Sequence, residues 1–479
     1  MKTYKTMQIR VKKGHRLYDY FKEMCHQAKN IHNTTNFYIR QVFTALIQEK
    51  ALEPLQEEVL QNIAAYLPQM NLCQQASYAK KLETEKMKPL EDRKEITCHI
   101  FEAPSREKPY VSYHFLDALF KAMKQKDYRA LPTQTSQGIM KTVFQNWKSF
   151  YASLREYKIA PGKFKARPNI PKYCRRMEKE VLFTNQDCII KQSKFLKFPK
   201  TKIQLNIGKL GVTEGKFKQV RVIPKHGHYV VELVFELLLV SQTKEANQRY
   251  LSVDLGIDNL ATIITNTGQE PILLKGKNIK AANQRFNQLK AHYQGILRQG
   301  KEAKEGPYSS KRLERISNKR YAQIKDLFHK ASAHIERIAI KENIETIIIG
   351  RNKDWKQASK MGTKNNQSFV SIPHRLLIQM ITYKAKRHGI NVILAEESYT
   401  SKASFLDRDD LPVYGEKDVT MAFSGKRVKR GLYRAKDGTL INADVNGAAN
   451  IMRKAFEKAF EKPFADTACL LTPMTRMVR

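Results

Sequence analysis

The chain has 479 residues, which is enough for about two to four domains, and 42% hydrophobic residues, which is enough to build real cores. Its 86 lysines and arginines exceed its 46 acidic residues, so the formal net charge at pH 7 is +40. A charge of this size repels itself and attracts polyanions, and nucleic acid is therefore the expected partner. No run of about 18 apolar residues and no signal-peptide core occurs, so we expect no membrane partner and a cytoplasmic, nucleoid-associated location.

The six cysteines carry no metal-binding or disulfide pattern. No two of them form a C-x-x-C pair, and a disulfide framework is not expected in so large a chain. We therefore expect reduced thiols and no structural zinc.

The first half of the chain changes from helical to strand-like patterns. Weak alternation predicts a strand over 4–11, and apolar residues at helical spacing predict helices over 17–49, 55–85, 112–128 and 133–157. Short β-branched segments bounded by Lys or Gly predict strands over 178–240.

Between them lies the proline-rich segment PGKFKARPNIPKY, which predicts a shaped basic loop and a domain boundary. We expect this loop to hold nucleic-acid backbone through Lys163, Lys165, Arg167 and Lys172.

The second half alternates strands with helices. RYLSVDLGIDNLATIITNTG predicts a strand, a tight turn and a second strand. Residues 301–320 are strongly charged and predict a helix break or partial disorder. Further helices are predicted over 278–300, 326–343, 373–388 and 445–461, with strands over 345–350 and 390–397. This alternation favours an α/β domain with a mixed sheet.

Four acidic residues are candidates for holding divalent ions, because Mg²⁺ prefers hard oxygen ligands. Asp254 lies inside an apolar strand, where a charge is costly unless it is paired or coordinated; a turn cap is the equal alternative. Asp444 begins a helix, and taken alone it fits an N-cap better than a ligand. Glu396 and Glu397 end a strand and should face opposite sides, with ion pairing as the alternative for each.

Taken together, these segments resemble the TnpB proteins of insertion sequences and the small type V CRISPR effector nucleases. AKNIHNTTNFYIRQ, YRALPTQTSQGIMKTVFQNWKSFY and FKARPNIPKY resemble their recognition and wedge domains. VDLGIDNLAT resembles the first RuvC motif, and GRNKDWKQ with NQSFVSIPHRLL resembles the second-motif region. EESYTSKASFLD and INADVNGAANIMRK resemble the run into the third motif.

The resemblance implies a multidomain α+β protein with a helical recognition domain, a β-barrel-like wedge domain and a RuvC domain of RNase H-like α/β fold. It places the first wedge strand in residues 1–15, the recognition domain in 16–157 and the main wedge part in 158–245. The nuclease domain would occupy 246–479, with a basic insertion near 403–440.

Residue by residue, the resemblance makes Asp254 the first catalytic acid and Asp444 the third. The second departs from the family, because the usual Ile-Glu-Asp-Leu-like run is replaced by Ile348-Ile349-Gly350-Arg351-Asn352, which has no glutamate. Either the enzyme is inactive, or Glu397, just before a Tyr-Thr-Ser-like motif, supplies the ligand. We favour Glu397 over Glu396. The three acids would then hold Mg²⁺ or Mn²⁺ for attack of water on a phosphodiester.

A second departure is the absence of the Cys-rich zinc ribbon that most relatives carry, so the chain resembles a ribbon-less subgroup. In its place stands FSGKRVKRGLYR, which predicts a basic hairpin or loop beside the site, with a solvated charge run as the alternative. We expect contact with the substrate strand from Lys426, Arg427, Lys429, Arg430 and Arg434. Trp355 and Lys356, in a polar loop, are further candidates for nucleic-acid contact, with core packing an equal alternative for Trp355.

The resemblance also implies the partners and the activity. They are a guide RNA, from the protein's own locus or a CRISPR array, and double-stranded target DNA that is cut beside a short flanking motif. Two alternatives stay open: a cleavage-inactive, repressor-like RNA-guided DNA-binding protein, and an RNA-independent transposase.

Overall fold

The structure is a computed structural model that describes residues 2–211, 215–238, 247–302, 305–351, 372–413, 422–461 and 468–478. Trp355 and Lys356, predicted to contact nucleic acid, lie outside the described residues. The chain divides into two compact units, residues 2–238 and residues 239–479. Helices and sheets occur in both, so the fold is multidomain α+β. The finer domain boundaries given above stay predictions.

The helices of the N-terminal unit follow the apolar spacing of the sequence. They are α1 (Tyr18–Ile47), α2 (Pro54–Lys86), α3 (Tyr113–Ala122), α4 (Lys126–Ala130) and α5 (Thr133–Ile159). The single helix predicted over 112–128 is wrong, because the chain turns at Lys124, whose φ is +51°, and divides it into α3 and α4. Trp147 of α5 is buried, and its Nε1 donates to Oδ1 of Asn36 in α1 at 2.8 Å, so it joins α5 to α1 in the core.

The strands of the N-terminal unit form antiparallel sheets. They are β1 (Lys2–Lys12), β2 (Val181–Thr184), β3 (Ile189–Lys191), β4 (Phe195–Lys197), β5 (Gln204–Asn206), β6 (Lys216–Lys225) and β7 (His228–Leu238). Among the residues described, one sheet has the order β1-β7-β6-β2 and a second the order β3-β4-β5. The start of the chain therefore pairs with a strand more than two hundred residues away, from Lys2 opposite Leu238 to Lys12 opposite His228.

The C-terminal unit contains the predicted mixed sheet. Its strands are β8 (Tyr250–Asp254), β9 (Asn259–Thr265), β10 (Ile272–Lys275), β11 (Thr346–Gly350), β12 (Asn391–Ala395), β13 (Lys426–Lys429), β14 (Leu432–Arg434), β15 (Leu440–Asn442) and β16 (Met474–Met477). The large sheet has the order β12-β11-β8-β9-β10-β16 within the described part of the chain. β8, β11 and β12 are mutually parallel, whereas β9 is antiparallel to both β8 and β10.

The helices of this unit cover both faces of the large sheet. They are α6 (Lys277–Arg298), α7 (Lys311–Lys341), α8 (His374–Arg387) and α9 (Ala443–Ala455). Ile347 and Ile349 of β11 point into the core beneath α7 and α8, whereas Ile348 between them points into the core beneath α9. This alternation along a strand buried on both faces explains why the segment is apolar throughout.

Two helix boundaries differ from the sequence-based predictions. The charged segment 301–320 is helical from Lys311, because the hydroxyl of Ser310 caps the first turn of α7 by accepting from Leu313 N at 3.3 Å. The last helix ends at Ala455 rather than 461. The next residue, Phe456, leaves helical geometry with φ −140° and stacks its ring on Tyr250, with centroids 4.0 Å apart. None of the helices in the described ranges is long and apolar enough to cross a membrane.

Candidate active site

The candidate acids converge on one edge of the large sheet. Asp254 is the last residue of β8, and Gly350 is the last residue of the parallel neighbour β11. Glu397 follows the end of β12, the next parallel strand, and Asp444 lies in the first turn of α9, which packs against β8. Because parallel strands end at the same edge of a sheet, segments far apart in sequence meet here.

Glu397 fills the space beside Gly350. A Cβ added to Gly350 would lie 2.5 Å from Oε1 of Glu397, 2.9 Å from its Cγ and 2.6 Å from Cδ1 of Ile451. Any other residue would therefore displace the Glu397 side chain or the helix behind it. Glycine is thus the one residue at position 350 that leaves room for Glu397.

Glu396 has different contacts. β12 ends at Ala395, so both glutamates lie in the turn after the strand, and the prediction from strand alternation does not apply to them. Lys454 of α9 forms an ion pair with Glu396, and Ser398 N donates to its Oε1 at 2.7 Å. Burial opposes ionisation, but these hydrogen bonds from Lys454 and Ser398 prevail and lower the pKa of Glu396. Its carboxylate is therefore engaged in holding the turn.

Asp254 and Glu397 carry unfavourable negative charge. Burial, followed by the nearby charge of Asp444, raises the pKa of Asp254 to about 7, although Arg427 acts in the opposite direction. Burial, followed by the charges of Asp254 and Glu396, raises the pKa of Glu397 to about 8. Both residues keep part of their surface open to solvent. Asp254 thus feels the negative charge of Asp444, and Glu397 that of Asp254, in a poorly solvated place, and a bound cation would relieve this repulsion.

Asp444 is held from both sides and is not the helix cap. The cap is Asn442, whose side chain accepts from the backbone N–H groups of Asp444 and Val445, so the N-cap alternative for Asp444 is wrong. The Nδ2 of Asn259 donates to Oδ2 of Asp444 at 2.6 Å, and Arg427 lies 3.7 Å from Oδ1.

The sequence pattern does not predict the contact between Asn259 and Asp444. It joins residues 185 positions apart. The available signal was a polar residue at the start of the apolar strand NLATIIT, where a buried amide needs a partner.

The carboxylate oxygens of Asp254, Glu397 and Asp444 are of the kind that bind divalent metal ions. In the described ranges, no group of three His, Cys, Asp or Glu side chains is arranged so that it could hold a metal ion. The fit rests instead on carboxylate oxygens, which hard ions such as Mg²⁺ prefer, and on their mutual repulsion. A second glycine makes room for them, since a Cβ on Gly447 would lie 3.2 Å from Oδ2 of Asp254.

The predicted basic hairpin is present beside these acids. β13 and β14 pair antiparallel, and β15 completes a small sheet that leads directly into α9. Arg427 approaches Asp444, and Arg430 forms an ion pair with Asp258. Its exposed cations are Lys426, Arg427, Lys429, Arg430 and Arg434.

The predicted basic loop lies in the N-terminal unit. Its backbone is fixed to α1, because the carbonyl oxygen of Pro171 accepts from Nδ2 of Asn36 at 3.1 Å and from Arg40 at 2.9 Å. Lys163 forms an ion pair with Glu156 at 2.7 Å. The predicted contact residues Lys163, Lys165, Arg167 and Lys172 are all exposed.

Comparison with known proteins gives two family models that match the chain. A model described as a probable transposase, OrfB of IS605, matches residues 228–356, and a model of the TNB domain of Cas12f1-like proteins matches residues 374–451. The TnpB-like protein ORF457 of Acidianus two-tailed virus is 24% identical over 219 residues, which are 44% of this chain and 43% of that protein. The chain therefore aligns with less than half the length of this relative.

Solved structures give weaker likenesses. A Cas12f1–sgRNA–target DNA complex matches at a TM-score of 0.42 with 11% identity, covering 94% of this chain and 98% of that one. C2c1 of Alicyclobacillus acidoterrestris, solved with single-guide RNA, matches at a TM-score of 0.33 with 10% identity, covering 89% and 70%. The two family models and the viral relative together support a TnpB-family protein, for which a nuclease- or transposase-related function is expected.

Proposed function

We propose that the protein is an RNA-guided DNA endonuclease whose site is formed by Asp254, Glu397 and Asp444. The observation that carries the proposal is the convergence of three carboxylates from β8, the turn after β12 and α9 on one sheet edge. Carboxylates that repel one another so strongly are costly to a fold that does not use them. The raised pKa values of Asp254 and Glu397 favour a site that holds cations over a set of unrelated ion pairs.

The roles of the residues follow from their surroundings. Asp254, Glu397 and Asp444 would hold Mg²⁺ or Mn²⁺, which when bound activates water and stabilises the leaving oxygen of a phosphodiester. Gly350 and Gly447 leave room for the carboxylates. The turn after β12 is held by Glu396 and Lys454, so that Glu397 is presented by a fixed backbone. We assign no structural zinc to the protein.

The partners follow from charge and family. A net charge of +40 favours nucleic acid, and membership of the TnpB family favours a guide RNA with a double-stranded DNA target beside a short flanking motif. We assign the hairpin cations Lys426, Arg427, Lys429, Arg430 and Arg434 to the substrate backbone, because Arg427 of this hairpin approaches Asp444. We assign the loop cations Lys163, Lys165, Arg167 and Lys172 to guide RNA or heteroduplex backbone.

The test is to purify the protein with its RNA, sequence that RNA, and offer Mg²⁺ and a plasmid library with randomised flanks beside a matching target. The proposal expects cleavage that needs both the guide match and one short flanking motif. Guided binding without cleavage under any divalent ion would favour the repressor-like alternative, for which the glycine at position 350 argues. Cleavage by RNA-free protein would favour a transposase.

A further inference from the structure

A line of side-chain contacts leads away from the candidate site through one buried amide. Nδ2 of Asn259 donates to Oδ2 of Asp444 at 2.6 Å, and Nζ of Lys275 donates to Oδ1 of Asn259 at 2.9 Å. Asn259 is only 8% exposed, so water competes little for its amide. The amide is therefore committed to one donor and one acceptor.

The two partners give the amide a single orientation. An ammonium group can only donate and an ionised carboxylate can only accept, so Oδ1 of Asn259 must face Lys275 and Nδ2 must face Asp444. Without Lys275, a flipped amide would turn its oxygen toward Asp444 and repel it. Lys275 thus acts on the carboxylate through Asn259.

The backbone is shaped to make these contacts. Asn259 and Lys275 are opposite each other in the β9–β10 ladder, where the register shifts between Leu274 and Lys275. Such a bulge re-aims the side chain that follows it. Gly256 allows the close approach of β9, since a Cβ there would lie 2.7 Å from the carbonyl oxygen of Asn259.

We infer that Asn259 is a positioning residue that fixes the Asp444 carboxylate for divalent-ion binding, and that Lys275 sets the orientation of Asn259. The inference rests on the proposed function. One oxygen of Asp444 is held by Asn259 and the other lies toward Arg427, so the carboxylate cannot rotate freely. A fixed ligand loses less freedom when an ion binds and binds it more tightly.

The test is Mn²⁺ binding to the full-length protein, measured from the electron paramagnetic resonance signal of the free ion. N259A should weaken binding about 10- to 100-fold, the usual cost of removing an outer partner of a ligand. K275M should weaken it less, and K275R should restore it. The double variant N259A/K275M should bind no more weakly than N259A, because Lys275 acts only through Asn259.

Matched controls separate positioning from folding. K280M removes a charge from Lys280, which pairs with Asp258, and N278A removes an amide that donates to the carbonyl of Val478. Neither should change Mn²⁺ affinity. Equal binding by N259A and parent, or additive losses in the double variant, overturns the inference. If D444N also binds like the parent, the proposed metal site itself fails, which a failure of N259A alone does not imply.

Discussion

The carboxylate of Glu397 lies in the space that a side chain at position 350 would need: a Cβ on Gly350 would come within 2.5 Å of Oε1 of Glu397. Two residues that lie 47 positions apart in the sequence are thereby coupled. The glycine that ends β11 and the glutamate that follows β12 therefore fit each other in space.

The first prediction concerns this glycine. G350A should displace Glu397 or Ile451 and reduce DNA cleavage by about a hundredfold, the usual effect of misplacing a reacting group by about 1 Å. Guided target binding should persist. The control is G295A, at a helical glycine whose Cβ would meet nothing within 4 Å. Cleavage by G350A at the parent rate would show that Glu397 need not occupy this place.

The second prediction is a pH-dependent stability of the metal-free protein. The pKa of Glu397 is about 8, against 4.5 for an ordinary glutamate, so the folded state binds the proton more tightly than the unfolded state. Unfolding therefore becomes easier as pH rises from about 4.5 to about 8. The E397Q variant has no carboxylate to ionise at this position, so it avoids this loss of stability. In EDTA at pH of about 8 it should melt several degrees above the parent. At pH of about 5 the two proteins should melt at nearly the same temperature.

Thermal melts at both pH values, with and without Mg²⁺, check this expectation. Mg²⁺ should raise the melting temperature of the parent more than that of E397Q, because bound ion stabilises the folded state by mass action. If the parent is equally stable at both pH values, the raised pKa of Glu397 is contradicted.

The third prediction concerns the hairpin. K429A/R434A removes two exposed cations that lie apart from the Arg427–Asp444 contact. Target-DNA affinity should fall, and the slope of log affinity against log salt should drop by up to about two, one for each lost phosphate contact. K80A/K81A on α2, with the same change in net charge, should change the slope less. Identical slopes for the two double variants would make the hairpin a solvated charge run.

Much of this fold could be predicted from the sequence, and the reasons are local. Helices such as α1 and α5 carry apolar residues at helical spacing, and β11 is a short apolar run, so their own side chains specify them. Asp254 was found because a charge inside an apolar strand is conspicuous. The start of α7 was missed because its charged first turns hide the cap at Ser310.

The site was only partly predictable, because its contacts are not local. Glu397 was distinguished from Glu396 by strand alternation, yet both lie beyond β12, and it is Lys454 of α9 that separates their environments. The pairing of Asn259 with Lys275 depends on a bulge between β9 and β10. The spacing of these residues in the sequence predicts neither feature.

The most direct test of the account compares cleavage by E397Q and E396Q in the guide-loaded protein under single-turnover conditions with Mg²⁺. E397Q preserves size and should lose cleavage by orders of magnitude, like D254N and D444N, while guided DNA binding persists. E396Q loses only the ion pair with Lys454, so it should keep most of the cleavage rate and melt at a lower temperature. Cleavage by E397Q at the parent rate would contradict the account.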